Sequence, residues 1–225
     1  MPLLIIDYTE LSDNVKCIVS LAIFAICYIM NMAMSLKWLI SWLLTFPVFV
    51  FLSGVEIRGK IPKRGAVILA SNHLSFLDPP LVGYAAFREV FFLAKPGLFI
   101  LSKFFTWLIK TYNAINLEGG QGIRPAIKLL KQGKAVVIFP EGTRSRIGAM
   151  LPFSPGVGFL AITYNVPVVP IRIINSNKKL ISLILRWHKL KIIFGEPILP
   201  DGYRKSKQDF EAFALKIREE VEKLK

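Results

Sequence analysis

The chain has 225 residues, of which 53% are hydrophobic, and its mean hydropathy of +0.50 exceeds that of an average soluble domain. Its formal net charge is +14, but residues 1–56 carry two basic and four acidic residues, so the remainder carries net +16. Cys17 and Cys27 both lie in an apolar segment, which argues against a disulfide framework or a cysteine metal site. We expect one full domain plus an appendage, with a basic body that attracts polyanions.

Two apolar runs near the N-terminus predict membrane-associated helices. Residues 17–36 and 38–55 contain no charged residue, and Lys37 separates the two runs. Each run is long enough to cross a bilayer core of ~30 Å as a helix. Trp38 lies at the junction, where an amphipathic ring and a snorkelling amine suit the membrane interface.

Two membrane geometries fit these runs, a transmembrane hairpin and a pair of helices lying in one leaflet. The soluble alternative is a helical hairpin buried in a core. No cleavage site of small residues follows a short apolar core, so we do not expect a removable signal peptide. The positive-inside rule places the basic body on the cytoplasmic face. We therefore predict a membrane-associated helical hairpin over 1–54 and an α/β domain over 55–225.

From residue 55 onward, short apolar runs alternate with helical stretches. Candidate strands cover 55–59, 66–72, 90–95, 113–118 (the weakest), 135–140, 166–173 and 190–195. Helical stretches are expected near 79–87, 97–111, 123–132, 154–165 and 178–188. Continuous apolar runs suit strands that are buried on both faces. The pattern predicts an α/β fold with a mainly parallel sheet flanked by helices.

The C-terminal segment predicts one further helix. Ser206 and Asp209 form a candidate capping pair at its start. Apolar residues then recur at helical spacing, at Phe210, Phe213, Ile217, Val221 and Leu224. Core packing is the expected role of this stripe, and membrane contact is the alternative.

The stretch ASNHLSFLDPP, residues 70–80, holds one of the two histidines of the chain. A strand ends just before His73, and Asp78 followed by two prolines predicts an N-cap and a helix start. A tight turn can fold the Asp78 carboxylate onto the His73 imidazole, which would make the histidine a general base. The residues alone leave open that His73 only caps a turn. The other histidine, His188, belongs to no motif, and we assign it no catalytic role.

A second polar stretch, VVIFPEGTRSR at 136–146, also follows a strand end. It places a carboxylate, a glycine, two hydroxyls and two guanidinium groups within six residues. The planar fork of arginine suits bidentate phosphate binding. Glycine lets backbone N–H groups approach an anion closely. The alternative is an ordinary polar loop with a local Glu–Arg pair.

These stretches, in this order, resemble the motifs of the glycerolipid acyltransferase family. NHLSFLD resembles its Asn-His-x-x-x-x-Asp motif, and FPEGTRSR resembles its Phe-Pro-Glu-Gly-Thr-Arg-Ser block. VPVVPI is similar to its proline-bearing fourth block. The resemblance spans about residues 55–200, and the apolar helix pair ahead of it is typical of the bacterial members. It implies a location on the cytoplasmic face of a bacterial inner membrane.

The resemblance implies direct acyl transfer without a covalent acyl-enzyme. His73 is expected to remove the proton from a glycerol hydroxyl while Asp78 orients the imidazole. The hydroxyl then attacks the thioester of acyl-CoA or acyl-carrier protein. The implied acceptor is 1-acylglycerol-3-phosphate, acylated on its sn-2 hydroxyl to give phosphatidic acid in phospholipid synthesis. No metal and no tightly bound cofactor is implied, and the partners are the lysophospholipid, the thioester and the bilayer.

The same resemblance implies a set of substrate-binding residues. They are Asn72, Lys95, Glu141, Gly142, Thr143, Arg144 and Ser145. Pro170 is expected to shape the fourth block, on the side of the acyl donor. The threonine of EGTR favours a lysophosphatidic acid acceptor, because related glycerol-3-phosphate enzymes more often carry glycine there.

Two positions depart from the family pattern. The second family block usually ends in arginine, whereas YNAINLEGG offers none and the nearest arginine is Arg124. Gly97 stands where the family often has a glutamate. Arg124 reaching back from a helix start is a hypothesis for the missing group.

These departures leave alternative acceptors and an alternative function open. The acceptor could instead be glycerol-3-phosphate, another lysophospholipid or a lyso-aminolipid. A non-enzyme alternative is a basic protein that binds lipid at the membrane surface. Nucleic-acid binding is not expected, because the aromatic residues concentrate in apolar runs instead of alternating with basic residues.

Overall fold

The computed structural model of the chain describes residues 35–53, 55–117, 123–145, 149–185 and 187–225. Most of the predicted N-terminal hairpin, residues 1–34, lies outside the described residues. Its second apolar run forms helix α1, Leu36–Ser53. Across the described part of the chain, no helix has both the length and the apolar character needed to span a membrane. Anchoring by residues 1–54 stays a prediction.

After α1, strands and helices alternate as the sequence predicts. The strands are β1 Glu56–Arg58, β2 Val67–Ser71, β3 Val90–Ala94, β4 Ala114–Asn116, β5 Ala135–Ile138, β6 Val168–Ile174 and β7 Lys191–Phe194. The later helices are α2 Asp78–Ala85, α3 Lys103–Thr111, α4 Arg124–Lys131, α5 Gly156–Tyr164, α6 Leu180–Ile184 and α7 Lys207–Lys223. The stretch predicted helical at 97–111 divides into a 3₁₀ helix, Pro96–Ile100, and α3.

The seven strands form one sheet in the order β1-β7-β6-β2-β5-β3-β4. Strands β6, β2, β5, β3 and β4 run parallel, so their carboxyl ends meet at one edge, here named the carboxyl edge. Strand β7 runs antiparallel to β6, and β1 pairs with β7 in parallel. The predicted mainly parallel sheet is confirmed. Strands β2 and β5 are neighbours, which places the two polar stretches that follow them side by side.

Helices cover both faces of the sheet. On one face, side chains of α1, α2 and α6 pack with one set of inward-pointing strand residues. On the other face, α4, α5 and α7 pack with the opposite set. Strand β2 contributes to both clusters, with Leu69 on one face and Ile68 on the other. This explains why its sequence is continuously apolar, with no polar alternation.

Helix α1 is part of the packed core. Trp38 is only 1% exposed, and it lies over Gly83 of α2, where a Cβ atom would be 3.1 Å from the indole ring. The Trp42 indole N–H donates to the Tyr84 carbonyl at 3.0 Å, and the two rings stack with centroids 5.8 Å apart. Ser41 donates to the Thr111 carbonyl at 3.0 Å. The part of segment 1–54 that is described therefore packs on the α/β domain, and each large apolar side chain so buried stabilises it by about 1.5–3 kcal/mol.

Pro170 lies within the body of β6, paired with Ala70 of β2. Proline has no N–H to donate to a ladder. Strand β7 accordingly ends at Phe194, which pairs with Ile171. The next residue, Gly195, lies opposite Pro170. The Gly195 N–H donates to the Pro170 carbonyl at 2.8 Å, and the chain rejoins β6 as a bridge between Ile198 and Val168. The proline thus sets where the β6–β7 ladder stops.

The C-terminal helix α7 begins at the predicted capping pair. The Ser206 side chain accepts from the Asp209 N–H at 3.1 Å and donates to its carboxylate at 2.9 Å, which satisfies groups that a helix start leaves unpaired. The apolar stripe of α7 is buried at Phe213, Ile217 and Val221. The predicted role of the stripe in core packing is confirmed.

Close contact between α5 and α7 yields a stability prediction. A Cβ atom at Gly158 would lie 2.2 Å from the Phe210 carbonyl oxygen, so Gly158→Ala must push the two helices apart. We expect a loss of about 1–3 kcal/mol in the free energy of unfolding, measured as a lower midpoint of thermal unfolding.

Gly156→Ala in the same helix is the matched control. Its Cβ atom would meet only the Ser154 Oγ, at an ordinary 3.6 Å. We expect this variant to unfold at the wild-type midpoint or slightly above it. Equal midpoints for the two variants would contradict the close-packing argument.

Candidate active site

Two backbone contacts join the loop after β2 to the loop after β5. The His73 N–H donates to the Glu141 carboxylate at 2.8 Å, and the Ser145 N–H donates to the His73 carbonyl at 2.8 Å. Both loops lie at the carboxyl edge, where ligands bind in open α/β sheets. The two stretches that the sequence singled out separately are therefore parts of one site.

The His73 imidazole and the Asp78 carboxylate form a hydrogen-bonded pair. Nδ1 of the histidine lies 2.8 Å from Oδ2 of the aspartate. The histidine side chain is 17% exposed, whereas the aspartate side chain is fully buried. Since an ionised carboxylate only accepts, Nδ1 carries the proton and Nε2 is left as the acceptor. This is the state that a general base needs.

The Asp78 carboxylate also organises the turn that carries His73. Oδ2 accepts from the Leu74 N–H at 2.6 Å and from the Ser75 N–H at 2.7 Å. Oδ1 is buried and has no hydrogen-bond partner among the described residues. The prediction that the pair meets across a turn is confirmed.

The predicted N-cap role of Asp78 is wrong. Helix α2 begins at Asp78 itself, the N-cap position is Leu77, and the helix start has no side-chain cap. The carboxylate instead turns back to the loop, because two backbone N–H groups and the imidazole converge on it. Pro79 and Pro80 lie in the first turn of the helix, as predicted, where they forfeit no intrahelical hydrogen bond.

Phe139 fixes the plane of the histidine ring. The two rings stack, with centroids 4.3 Å apart and planes at 26°. The sequence analysis assigned Phe139 no role, although it begins the FPEGTRSR block. Together with the Asp78 contact, this stacking leaves the ring little freedom to rotate away from the edge of the sheet.

Glu141 acts as a brace between loops. One carboxylate oxygen accepts from the His73 N–H, and the other accepts from the Leu151 N–H at 3.0 Å. Burial raises the pKa of the Glu141 carboxyl, and the two N–H donors partly oppose that shift. A carboxylate repels phosphate, so the contacts of Glu141 suit a positioning role better than direct contact with an anion.

Asn72 is a second brace. Its amide nitrogen donates to the Ile173 carbonyl at 2.9 Å, and its amide oxygen accepts from the Ile173 N–H at 2.7 Å. The side chain thus continues the β2–β6 pairing one step past the end of β2. Its predicted part in substrate binding stays a prediction.

The tip of the second loop is exposed. Gly142 adopts a φ of +65°, a conformation that favours glycine, and Thr143 and Arg144 follow it at the surface. The Arg144 guanidinium lies 3.6 Å from the centroid of the Phe76 ring, a cation–π contact. Phe76 belongs to the NHLSFLD turn, so this contact holds the arginine beside the histidine. The sequence analysis did not single out Phe76, although it is the aromatic residue inside that motif.

The remaining predicted site residues lie at different depths. Lys95 is exposed directly after β3, at the carboxyl edge beside β5. Arg124 is exposed at the start of α4, and residues 118–122 ahead of it lie outside the described residues. Ser145 is buried and contacts His73 through its backbone, whereas Pro170 lies inside β6, away from the strand end. In the described ranges, no group of three or more His, Cys, Asp or Glu side chains is placed to hold a metal ion.

Comparison with known proteins is consistent with this site. The family model Acyltransferase matches residues 54–174, which is more than half of the chain. The matched range includes the loop after β2 and the loop after β5. The chain is 26% identical over 187 residues to 1-acyl-sn-glycerol-3-phosphate acyltransferase of Borreliella burgdorferi, covering 78% of this chain and 74% of that protein.

Two further proteins are similar over different lengths. Human 1-acyl-sn-glycerol-3-phosphate acyltransferase alpha is 35% identical over 129 residues, covering 52% of this chain and 44% of that protein. The chain thus spans less than half of the human relative. The crystal structure of the 1-acyl-sn-glycerophosphate (LPA) acyltransferase PlsC from Thermotoga maritima is similar with a TM-score of 0.66 and 28% identity, covering 82% of this chain and 78% of that chain.

The double contact of Glu141 yields a prediction. Glu141→Ala leaves two part-buried N–H groups without an acceptor, so we expect a loss of about 1–3 kcal/mol in the free energy of unfolding. Glu141→Gln keeps one acceptor and removes a buried charge, so its loss should be smaller. Denaturant unfolding of both variants measures the difference. Glu211→Ala, which removes an exposed pairing with Lys207, is the control and should cost less than about 1 kcal/mol; an alanine variant at 141 no worse than this control would contradict the brace.

Proposed function

The chain belongs to the acyltransferase family, and from that premise we propose that it transfers an acyl group from a thioester to the free sn-2 hydroxyl of 1-acylglycerol-3-phosphate. The product is phosphatidic acid. The observation that carries this proposal is the His73–Asp78 pair, held at 2.8 Å on the carboxyl edge of the sheet. The names of the relatives support the choice of acceptor.

The pair is suited to direct base catalysis. With its proton held on Nδ1 by Asp78, His73 accepts the hydroxyl proton on Nε2 as the acceptor oxygen attacks the thioester carbonyl. The imidazolium that forms lies against a buried carboxylate, which stabilises its charge. The thiolate leaves as the carbonyl re-forms, and the proton on Nε2 is available to it. Each proton and electron pair is thereby accounted for without an acyl-enzyme.

Arg144 and Lys95 are proposed to hold the phosphate of the acceptor. Arg144 is kept next to the histidine turn by its stacking on Phe76, and Lys95 extends from the neighbouring strand end. A guanidinium offers a bidentate contact and an ammonium a point charge, and both favour a phosphate monoester. The exposed glycine and threonine of the same loop tip, Gly142 and Thr143, leave room for the anion to approach the backbone.

The donor, the membrane and the cofactor requirement are parts of the same proposal. We expect acyl-CoA or acyl-carrier protein as donor, because the basic body suits either anionic partner. We place the reaction on the cytoplasmic face of a bacterial inner membrane, and we expect no metal or tightly bound cofactor to be needed. Activity that survives treatment with a chelator would agree with the last point.

The missing second-block arginine supports an alternative acceptor. YNAINLEGG has no cation to add to Arg144 and Lys95, so an acceptor with a less negatively charged head group, such as another lysophospholipid or a lyso-aminolipid, is the second candidate. A panel of purified acceptors with both thioester donors separates the two. Preference for a non-phosphorylated lysolipid would overturn the proposed acceptor and leave the acyltransferase chemistry intact.

The variant His73→Ala removes the proposed general base. We expect kcat to fall by roughly 100- to 10,000-fold, measured by release of free thiol from the acyl donor. Asp78→Asn should lose much of the rate as well, because a neutral amide stabilises the imidazolium less. Circular dichroism must show that both variants stay folded, and a folded His73→Ala protein with wild-type turnover would refute the mechanism.

Arg144→Ala should act on binding of the acceptor. A charge-assisted hydrogen bond contributes about 1.5–3 kcal/mol, so we expect KM for the phosphorylated acceptor to rise by about tenfold or more. Arg124→Ala tests the substitute cation in the same assay, and an unchanged KM would remove Arg124 from the site. Arg64→Ala, at the opposite edge ahead of β2, is the control for the loss of one surface arginine.

A further inference from the structure

Phe76 is an aromatic side chain exposed to water beside the proposed base. Its ring is 56% exposed, although it lies three residues after His73 in the turn between β2 and α2. In the Asn-His-x-x-x-x-Asp pattern it occupies one of the unspecified positions, so the motif assigns it no role. An exposed phenyl ring gains nothing from burial, and the contacts of this ring indicate what it does instead.

The turn that carries Phe76 is held on both sides of the residue. The Ser75 N–H donates to the Asp78 carboxylate at 2.7 Å, and the Leu77 N–H donates to the Ser75 Oγ at 3.2 Å. The Asp78 N–H donates to the Ser75 carbonyl at 3.2 Å. Because these contacts fix the backbone around Phe76 relative to His73, a group held by the ring is also placed relative to the imidazole.

The group held by the ring is the guanidinium of Arg144. Its Cζ atom lies 3.6 Å from the centroid of the Phe76 ring. Within the described ranges, no ion pair involves Arg144. The carboxylate nearest to it in sequence, that of Glu141, accepts from the His73 and Leu151 N–H groups instead. The local Glu–Arg pair that the sequence left open as an alternative is therefore not formed.

The stack leaves the hydrogen-bond donors of Arg144 available. A carbon atom 3.6 Å from the ring centre is in van der Waals contact with the ring, and at that spacing the planar guanidinium fits only when it lies roughly parallel to the ring. The N–H donors of a guanidinium lie in its own plane, so they point outward past the ring. Two such donors side by side bind a phosphate. The contact therefore orients the cation and keeps the groups that bind an anion free of the ring.

Holding Arg144 before a ligand arrives favours binding. A free arginine side chain has many rotamers, and selecting one of them on binding reduces affinity. The ring of Phe76 restricts these rotamers in advance, and its place on the turn sets the separation between the cation and His73. A phosphate bound to Arg144 is thereby kept at one distance from the imidazole. Hydroxyl groups on successive carbons of the same ligand then differ in their position relative to Nε2, and a small misplacement lowers the rate.

We propose that Phe76 is a specificity-determining positioning residue, whose ring holds Arg144 so that a bound phosphate monoester presents the hydroxyl of the neighbouring carbon to His73. The inference rests on the proposed function, because the free sn-2 hydroxyl of 1-acylglycerol-3-phosphate is next to the phosphate-bearing carbon. Phe76 contacts neither the reacting atoms nor the phosphate, and its effect passes through Arg144.

The first test measures binding without catalysis. Isothermal titration calorimetry of the full chain uses two soluble ether probes, 1-O-octylglycerol 3-phosphate and 1-O-octylglycerol, which differ only in the phosphate. Phe76→Leu removes the π face and keeps an apolar side chain, so we expect Kd for the phosphorylated probe to rise about two- to fivefold and Kd for the phosphate-free probe to stay unchanged. Phe76→Tyr keeps the face and should bind as the wild type does. Equal affinity in wild type and Phe76→Leu, or an equal loss for both probes, would overturn the proposal.

A double-mutant cycle determines whether the ring acts through the arginine. In the Arg144→Ala background, adding Phe76→Leu should leave Kd for the phosphorylated probe unchanged, because no guanidinium is left to hold. Additive losses would mean that the ring acts by itself and would contradict the positioning role. Since the Phe76 ring is more than half exposed, its replacement should leave the fold intact, which circular dichroism checks.

Tyr164→Leu is the matched control for the loss of a cation–π contact. The Lys131 Nζ atom lies 5.6 Å from the Tyr164 ring centroid, at the end of α5 that leads to the amino end of β6. This variant should bind the phosphorylated probe as the wild type does. A loss equal to that of Phe76→Leu would overturn the assignment of the effect to the site.

The second test determines which hydroxyl is acylated. In 1-O-octylglycerol 3-phosphate the free hydroxyl is next to the phosphate-bearing carbon, and in the 2-O-octyl isomer it is one carbon farther away; ether-linked chains do not migrate between the two positions. We expect wild-type kcat/KM to favour the 1-O-octyl acceptor, and Phe76→Leu to reduce that preference by about twofold or more, measured by release of free thiol from the donor. An unchanged preference would overturn the role of Phe76 in selecting the hydroxyl.

The two tests separate this inference from the proposed function. Calorimetry needs no turnover, so binding that depends on Phe76 in a protein that releases no thiol would refute the proposed function alone. Turnover and binding that are both indifferent to Phe76→Leu would refute the inference alone.

Discussion

The buried carboxylate of Asp78 organises the candidate active site at the carboxyl edge of the sheet. Its Oδ2 accepts from the His73 imidazole and from the Leu74 and Ser75 N–H groups, all at 2.6–2.8 Å. A carboxylate without solvent contact is tolerable only where donors converge on it in this way. The carboxylate that orients the His73 imidazole also holds the turn that carries it, so the local fold and the proposed chemistry depend on the same group.

A second constraint keeps this turn at the edge of the sheet. The loop after β5 bonds the His73 backbone from both sides, through the Glu141 carboxylate and the Ser145 N–H. The Asn72 side chain ties the other flank to β6 through Ile173. These contacts can form only because β5, β2 and β6 are neighbours in the sheet. Contacts from three neighbouring strands and their loops therefore hold His73 in place, although its side chain belongs to one loop.

The same sheet edge combines chemistry with surface character. Arg144 lies against Phe76 at the exposed end of the site, and apolar and basic groups flank it after β3 and after β6. Helix α1 packs Trp38 against Gly83 of α2, so the start of this helix is part of the packed domain.

The sequence by itself determined the order of the elements, the seven strands and the loops that hold the chemistry, because apolar runs, capping pairs and short motifs are local patterns. It predicted the contact between Asp78 and His73, but it did not determine the contacts of Asp78 with the Leu74 and Ser75 N–H groups, which replaced the expected N-cap, nor the stacking of Phe139 on His73. Only the tertiary structure decided that Glu141 meets the backbone of His73 across 68 residues of chain. Such contacts depend on β2 and β5 being neighbours in the sheet, and strand order is a property of the whole packed layer that no single segment carries.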